Sequence, residues 1–486
     1  YRRTRLVRGV LVLVHVGKRG RVEALQPDEY AHAAGLAHEA HQFAAVLADS
    51  FGARLSPDRL QTLLTLATRQ LKLRVAKAAE WESADTQMQA AIEGLRNALA
   101  PLADFTDRKL ATSGPTVAAL QAALVAVQRL GTFTSLMPAG DDKEKAAKSL
   151  IERTFDNAAS DIGTLLAGQS DTQVVWVERE PGRGPLLRAA TFDVSDLLHQ
   201  GLLKRYKRVV FTSATMRVAG SFDPPARNLG FTRGPYAWQV VASPFDYARQ
   251  GLIFCPPGMP NPADRANTSA YQEAVAKVAG DVIEALQGRT LVLCTSWAGV
   301  NAVADALEAR FDGEYPILRQ EPGKPSKLLA AEFAADPRAV LVGTLTFWTG
   351  ISIEGQTCAA VVIDRVPFPV PTDPIIAART EKADRVAQGK GFREVSLAEA
   401  CLTITQGAGR LIRTVADEGI VVVCDPRTHP VGPLRKSYSA DIGRSLPPMA
   451  YTTQWDVVAS RAAAIAAAAT DAAPVVVVVD DVPDEE

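Results

Sequence analysis

Apolar residues in the first third of the chain recur at helical spacing. Leu60, Leu63, Leu64 and Leu66 begin the series, Ala91, Leu95 and Leu99 continue it, and Leu120, Leu124 and Val127 follow. Spacings of three and four put such residues on one helical face. Residues 56–168 therefore predict long helices, punctuated at Gly114-Pro115 and at Pro138–Gly140. Ahead of them, Gly9–Val16 (GVLVLVHV) is an apolar run of strand length, and residues 28–50 are Ala-rich with helical spacing.

The pattern changes near Val174. Val174–Val177 and Val209–Phe211 read as strands. Beyond Pro244, short apolar runs alternate with helical segments. The runs are Leu252–Phe254, Thr290–Cys294, Val340–Val342, Ala360–Ile363 and Ile420–Cys424, and the helices fall near 270–287, 298–310 and 396–412. Such alternation predicts an α/β fold, a parallel sheet covered by helices. Open sheets of this kind bind ligands beyond the carboxyl ends of their strands.

Composition narrows the picture. The 486 residues are 47% hydrophobic and 22% charged, which excludes wholesale disorder. Fifty-three basic residues against 54 acidic ones exclude a globally basic coat but leave room for a local basic groove. The five cysteines, Cys255, Cys294, Cys358, Cys401 and Cys424, contain no CxxC, a usage that fits a reducing cytoplasm. Arg2, Arg3, Arg5 and Arg8 precede the first apolar run, but that run is short and lacks a small-residue cleavage site, so it reads as a buried strand. No stretch reads as the ~18 apolar residues of a membrane span. Residues 471–486 hold six acids and no bases around the Val475–Val479 run, and read as a solvated acidic tail.

Four segments put chemistry at predicted strand ends or just before a strand. They are Ser213-Ala214-Thr215, Cys294-Thr295-Ser296-Trp297, the run Gly343–Gly350, and Gln406-Gly407-Ala408-Gly409-Arg410-Leu411-Ile412-Arg413. In the last, Arg410 and Arg413 are three apart and would share a helical face, beside two glycines that weaken the helix. Guanidinium forks suit phosphate oxygens; a surface Arg pair is the plainer alternative. Hydroxyls and N–H groups at strand ends suit a nucleic-acid backbone. Trp297, Phe347 and Trp348 are candidates for stacking on bases or for the core.

In order and wording, these segments resemble the superfamily 2 helicases of the DinG/XPD-like type. VVFTSATM (Val209–Met216) looks like the family's motif III and LVLCTSW (Leu291–Trp297) like motif IV. VLVGTLTFWTGISIEG with VVIDRVPFPVPTDP looks like motif V and its extension, and QGAGRLIRTVADEGIVVVCDPR like motif VI. SLPPMAYTT (Ser445–Thr453) resembles the end of bacterial DinG proteins.

The resemblance, which spans residues 170–460, implies two RecA-like parallel-sheet lobes, the first incomplete, with an all-helical arch-like insertion. Residues 1–50 would be a remnant of the first lobe and 51–170 the insertion. Residues 171–243 would return to the first lobe, 244–470 would form the second, and 471–486 the tail. It implies ATP and Mg²⁺ as cofactors, single-stranded DNA as partner, and ATP hydrolysis coupled to 5′→3′ translocation. By the same resemblance Arg410 and Arg413 would face the γ-phosphate, and Gln406, Gly409, Gly350, Ser352 and His41 would lie at the nucleotide. Glu39 would activate the attacking water, Ser213 and Thr215 would couple hydrolysis to movement, and Thr295, Ser296, Thr344 and Trp348 would hold DNA.

The sequence departs from the family pattern in three ways. No Gly-Lys pair fits G-x-x-x-x-G-K-[ST]: Gly17-Lys18, Gly323-Lys324 and Gly389-Lys390 are followed by Arg19, Pro325 and Gly391. Motif II is degraded to GLAHEAHQF (Gly35–Phe43), where His38 stands in place of the metal-binding Asp and Mg²⁺ prefers oxygen ligands. Ser352 replaces a usual Asp of motif V, and Thr349 a usual acid. His32, His38 and His41 with Glu39 do not form a zinc HExxH, because residue 42 is Gln42. The family's iron–sulfur ligands precede motif II, whereas the first cysteine here is Cys255, so no cluster is expected from this chain. The expectation is a helicase chain that hydrolyses ATP very weakly or not at all, its phosphate loop supplied by an upstream segment or a partner. The alternative is a non-catalytic, helicase-derived protein that binds single-stranded nucleic acid.

Overall fold

The computed structural model describes residues 10–15, 36–38, 43–102, 114–179, 184–203, 208–213, 215–231, 237–240, 243–344, 346–349, 358–429 and 432–470. The chain opens with β1 (Val10–His15), β2 (Leu36–His38), α1 (Phe43–Ser50) and β3 (Ala53–Leu55). Four long helices follow: α2 (Pro57–Leu71), α3 (Ala78–Leu99), α4 (Gly114–Thr132) and α5 (Asp142–Ala167). Next come β4 (Gln173–Arg179), β5 (Pro185–Thr191), α6 (Ser195–Leu198), β6 (Arg208–Ser213), α7 (Asp223–Asn228) and β7 (Ala237–Val240). The last half runs α8 (Tyr247–Gln250), β8 (Gly251–Phe254), α9 (Thr268–Leu286), β9 (Thr290–Leu293), α10 (Trp297–Phe311), β10 (Ile317–Arg319), α11 (Ser326–Ala335) and β11 (Val340–Gly343). It closes with α12 (Thr346–Thr349), β12 (Ala360–Ile363), α13 (Pro374–Val386), α14 (Ala398–Ala408), β13 (Gly419–Val423), α15 (Ser439–Ser445), β14 (Ala450–Thr452) and α16 (Trp455–Thr470).

The largest sheet is seven-stranded, ordered β10-β11-β9-β12-β13-β8-β14, and every neighbouring pair is parallel. Its central strands are buried along their whole length, which is why they read as continuous apolar runs. Alternate residues feed two cores. Leu291, Leu293, Val361, Ile363, Val421 and Val423 pack on one face; Val292, Ala360, Val362, Ile420 and Val422 pack on the other, against α9 and α10.

A second sheet has the order β2-β6-β1-β7, with β2 parallel to β6 but β1 antiparallel to both β6 and β7. It is therefore a mixed sheet rather than a wholly parallel one. Residues 36–38, expected to be helical, form β2 instead: Leu36, Ala37 and His38 lie opposite Val210, Phe211 and Thr212 of β6. Pairing with an existing strand overrides the local helical spacing at these three residues, and the next described element is the helix Phe43–Ser50.

The helices α2–α5 are capped where the sequence supplies the residues. Ser56 Oγ accepts from Arg59 N–H ahead of Pro57, and Asp141 accepts from Glu144 N–H while Glu144 accepts from Gly140 N–H. Leu60, Leu64, Met88, Leu95, Leu120, Val127 and Ile162 meet in one core. Residues Gly114–Leu136 are long and apolar enough by length and composition to cross a membrane, contrary to the sequence expectation, yet Leu120, Ala123, Val127 and Leu130 are buried in this bundle core. The same core takes in Ala53 and Leu55 of β3, Val175 and Val177 of β4, and Leu187 and Ala189 of β5, which pair as a three-stranded sheet β3-β5-β4. Residues 173–191 thus pack with the helical region rather than resuming the sheet of β1. That sheet returns at β6, because only there does the register reach β1 and β2.

Candidate nucleotide and nucleic-acid site

Strand β6 runs into Ser213 and Thr215, both buried. Thr215 N–H donates to Ser213 Oγ at 3.2 Å, which folds the chain back at the strand end. From the seven-stranded sheet, the last turn of α14 delivers Gln406, whose Nε2 donates to Thr215 Oγ1 at 3.3 Å. Residues 191 positions apart, belonging to different sheets, are thereby joined through one hydroxyl. A second stitch lies beside it. Ala219 N–H donates to Ser445 Oγ at 3.1 Å, and the Ser445 carbonyl accepts from Thr405 Oγ1 at 2.6 Å.

Arg410 and Arg413 do not share a helical face. Helix α14 stops at Ala408, Gly409 is its cap, and Arg410 N–H donates to the Gly407 carbonyl at 3.1 Å in a closing turn. Leu411 and Ile412 have the spacing to continue the helix, but both are buried in the core of the large sheet, and that burial pulls the chain off the helical path. Both arginines sit in the loop that follows and are half-buried.

Asp417 organises this loop. Its Oδ2 accepts from Arg413 N–H at 2.8 Å and Thr414 N–H at 2.7 Å, and its Oδ1 from Thr414 Oγ1 at 2.8 Å. Gln250, on the far side, donates Nε2 to the carbonyls of Thr414 (2.9 Å) and Asp417 (2.8 Å). The Arg413 charge is felt by Cys358: burial pushes that thiol up to about 12, with Arg413 pulling the other way.

The residues expected on nucleic acid gather at neighbouring strand ends. Strands β11 and β9 pair in parallel, and Cys294 N–H donates to the Gly343 carbonyl at 2.8 Å, so Thr295 and Thr344 emerge side by side. Each is held by one buried acceptor. Thr295 N–H and Oγ1 donate to Asp364 Oδ2 at 3.1 and 3.2 Å, and Thr344 N–H and Oγ1 donate to Gln320 Oε1 at 2.7 and 3.0 Å. Burial pushes the Asp364 carboxyl up to about 6, against the opposing Arg365 charge and the Thr295 and Arg365 donors. Ser296 caps α10, its Oγ accepting from Gly299 N–H at 3.1 Å. Trp297 is exposed at the start of α10, whereas Phe347 is a core residue packed over Gly343.

Ser213, Thr215 and Gln406 thus meet at one seam, Gly409, Arg410 and Arg413 follow Gln406 in the chain on the loop held by Asp417, and Thr295, Ser296 and Thr344 form a separate strand-end cluster. Trp348 lies in α12, where only its backbone is described. Glu39, His41, Gly350 and Ser352 lie outside the described residues. Sequence reading missed Gln250, Gln320, Asp364 and Asp417. The available signal was a polar residue directly ending or preceding a buried apolar run, as Asp364 does after Ala360–Ile363. Among the described residues no group of three or more His, Cys, Asp or Glu is placed to hold a metal ion.

Residues 279–449 match the family model of the helicase C-terminal domain. The chain is 34% identical over 312 residues to the ATP-dependent helicase DinG of Mycobacterium tuberculosis, covering 63% of this chain and 45% of that one. It is 32% identical over 301 residues to the ATP-dependent DNA helicase YoaA of Haemophilus influenzae, covering 61% and 44%. The 3′-5′ exonuclease DinG of Bacillus subtilis is 32% identical over 281 residues, covering 55% and 29%. The chain therefore spans less than half the length of these relatives. In fold it is similar to S. tokodaii Xpd4, with a TM-score of 0.52 and 12% identity over 89% of this chain and 78% of that one. These matches make the chain similar in sequence to the DinG and YoaA helicases over 63% and 61% of its length, with residues 279–449 matching the helicase C-terminal domain.

Proposed function

We propose that the chain is the motif III-to-VI portion of an ATP-dependent DNA helicase. It would couple ATP hydrolysis to 5′→3′ translocation on single-stranded DNA, in the cytoplasm. One observation carries this reading: the Gln406–Thr215 hydrogen bond, which ties the end of β6 to the last turn of α14, just ahead of the arginine loop. A nucleotide bound at that seam would change both sheets' positions together, which is what coupling requires.

The donor set fits the phosphate side of ATP. Gln406 offers an amide, and Arg410 and Arg413 offer guanidinium forks on a loop held by Asp417. Arg413 is our arginine-finger candidate, with Arg410 beside it, Gly409 admitting close approach, and Ser213 and Thr215 relaying movement. Glu39, His41, Gly350 and Ser352 would complete the nucleotide side. Among the described residues no cluster of acids fits Mg²⁺. Thr295, Ser296, Thr344 and Trp348 would track the DNA backbone. The organisation we propose is a first-lobe portion at 1–50, an arch-like insertion at 51–170, a first-lobe return at 171–243 whose opening residues 173–191 pack with the helical core, a second lobe at 244–470 and a tail at 471–486.

The sequence contains no G-x-x-x-x-G-K-[ST], so the chain by itself is expected to hydrolyse ATP at background rate with or without a poly-dT oligonucleotide. Hydrolysis stimulated by the oligonucleotide and abolished by Arg413→Ala would overturn that expectation while supporting the role of Arg413. A second reading, a non-catalytic single-strand binder, is favoured by His38 at the end of β2, where the family carries a metal-binding Asp. It requires oligonucleotide affinity that falls with salt and ignores ATP; no binding at low salt would remove it.

A further inference from the structure

Helix α13 lies between the helical region and α14. Its apolar side, through Ala378 and Ile375, joins a cluster with Val174 and Trp176 of β4, Ala190 of β5 and Phe192. Its polar side carries Arg379, Lys382 and Arg385. Lys382 Nζ meets Asp193 Oδ2 at 2.5 Å and the Asp171 carbonyl at 3.1 Å, and lies 5.8 Å from the centre of the Phe192 ring. Arg385 meets Asp171 Oδ1 at 2.9 Å. These contacts hold the ends of β4 and β5, and hence the four-helix core, against α13 of the seven-stranded sheet's half of the chain.

Arg379 differs from its neighbours because it bonds in two directions. Its Nε donates to the Phe192 carbonyl at 3.0 Å, and its Nη1 donates to Glu399 Oε1, also at 3.0 Å. Glu399 is in the first turn of α14. Gln406 is seven residues on, about two turns or ~10 Å along the same helical face. The Arg379 side chain is only 16% exposed, and a cavity of about 360 Å³ opens beside it between α1, β5 and α13. The bridge is thus partly dry, where a charge-assisted bond is strong, and adjoins space into which it can open.

We propose that Arg379 is a positioning residue: it links the helical region, through the Phe192 carbonyl, to α14, through Glu399, so that displacing the helical region shifts Gln406 at the seam. The link rests on the functional reading above only for its consequence, since it operates without nucleotide. A lysine at 379 has one ammonium in place of the fork, so it satisfies Glu399 or the carbonyl but cannot span both with the geometry of Nε and Nη1.

The test is hydrogen exchange by mass spectrometry on the full chain, using Lys382→Ala to loosen the helical region. Exchange should rise at least threefold in peptides covering 186–193 and also in those covering 398–408. In an Arg379→Lys background the same Lys382→Ala change should act on 186–193 alone. Peptides from α3 and β9 serve as references, because general destabilisation would speed them too. The proposal is overturned if Lys382→Ala leaves 398–408 unchanged with Arg379 intact. It is equally overturned if its effect on 398–408 is the same in the Arg379→Lys background. Neither result depends on ATP hydrolysis, so failure here is distinct from failure of the helicase reading.

Discussion

Thr215 shows how much rests on single side chains. Its hydroxyl takes the Gln406 amide while its own N–H is bonded to Ser213. Thr215→Val keeps the volume and removes the acceptor, and should cost about 1 kcal/mol of unfolding free energy. A denaturant cycle with Gln406→Ala should return coupling of similar size; independent additive losses would mean the seam bond is not formed in solution. Asp364 makes a different prediction. Its folded value, about 6, lies above the ordinary 3.8, so the fold favours the neutral acid. An acid raised in this way adds most stability below pH 4 and progressively costs stability as pH rises from about 4 to 6. Across that window the unfolding free energy of the unaltered chain should fall relative to Asp364→Asn by on the order of 3 kcal/mol. Parallel pH profiles for the two proteins would refute the shift. The pairing of Asp364 with Thr295 was not legible in the sequence, because the two are 69 positions apart and meet only when β9 and β12 lie side by side. Both strands were legible, because a strand buried on both faces must be an unbroken apolar run.

At the level of elements, the helices of residues 56–168 were legible from spacing, since a bundle core selects the i, i+3, i+4 pattern. Leu95→Ala, at a fully buried position on α3, should cost about 2–5 kcal/mol by thermal or denaturant unfolding. A loss under 1 kcal/mol would mean this core is loosely packed. Two element ends were not legible. Leu36–His38 carries helical spacing but is captured by the edge of β6, and α14 ends at Ala408 although Leu411 and Ile412 continue its periodicity. In both cases tertiary burial decides the boundary, and local sequence has no knowledge of it. The second case matters for chemistry, because it places Arg410 and Arg413 on a loop. A loop needs a fastener, and Asp417 supplies it. Asp417→Asn loses the charge on three hydrogen bonds and should loosen residues 410–417 in hydrogen exchange while leaving β13 protected.

For the whole molecule, net charge of −1 means that any affinity for DNA must come from local arrangement rather than from the overall field. At the strand-end cluster the Thr295 and Thr344 donors are already committed to Asp364 and Gln320, whereas Ser296 uses its oxygen as a cap acceptor and keeps its proton to donate. A backbone phosphate approaching this face therefore meets Ser296 as the ready donor and the exposed Trp297 as a stacking surface. Ser296→Asp preserves an N-cap acceptor and so should leave the melting temperature nearly unchanged. It removes the donor and sets a negative charge against phosphate, and should weaken binding of a fluorescent poly-dT oligonucleotide at least fivefold at 50 mM salt. Thr295→Val and Thr344→Val should weaken it less, because they lose no donor that was available. Fluorescence anisotropy across 50–200 mM salt gives the number of phosphates engaged, the slope for single strands being about −0.7 per phosphate. A shallow slope of about −1 to −3 fits a cluster of this size on a nearly neutral protein. If Ser296→Asp binds as well as the unaltered chain, or the threonine changes prove the more damaging, the DNA path lies elsewhere and the strand-end hydroxyls serve the fold alone.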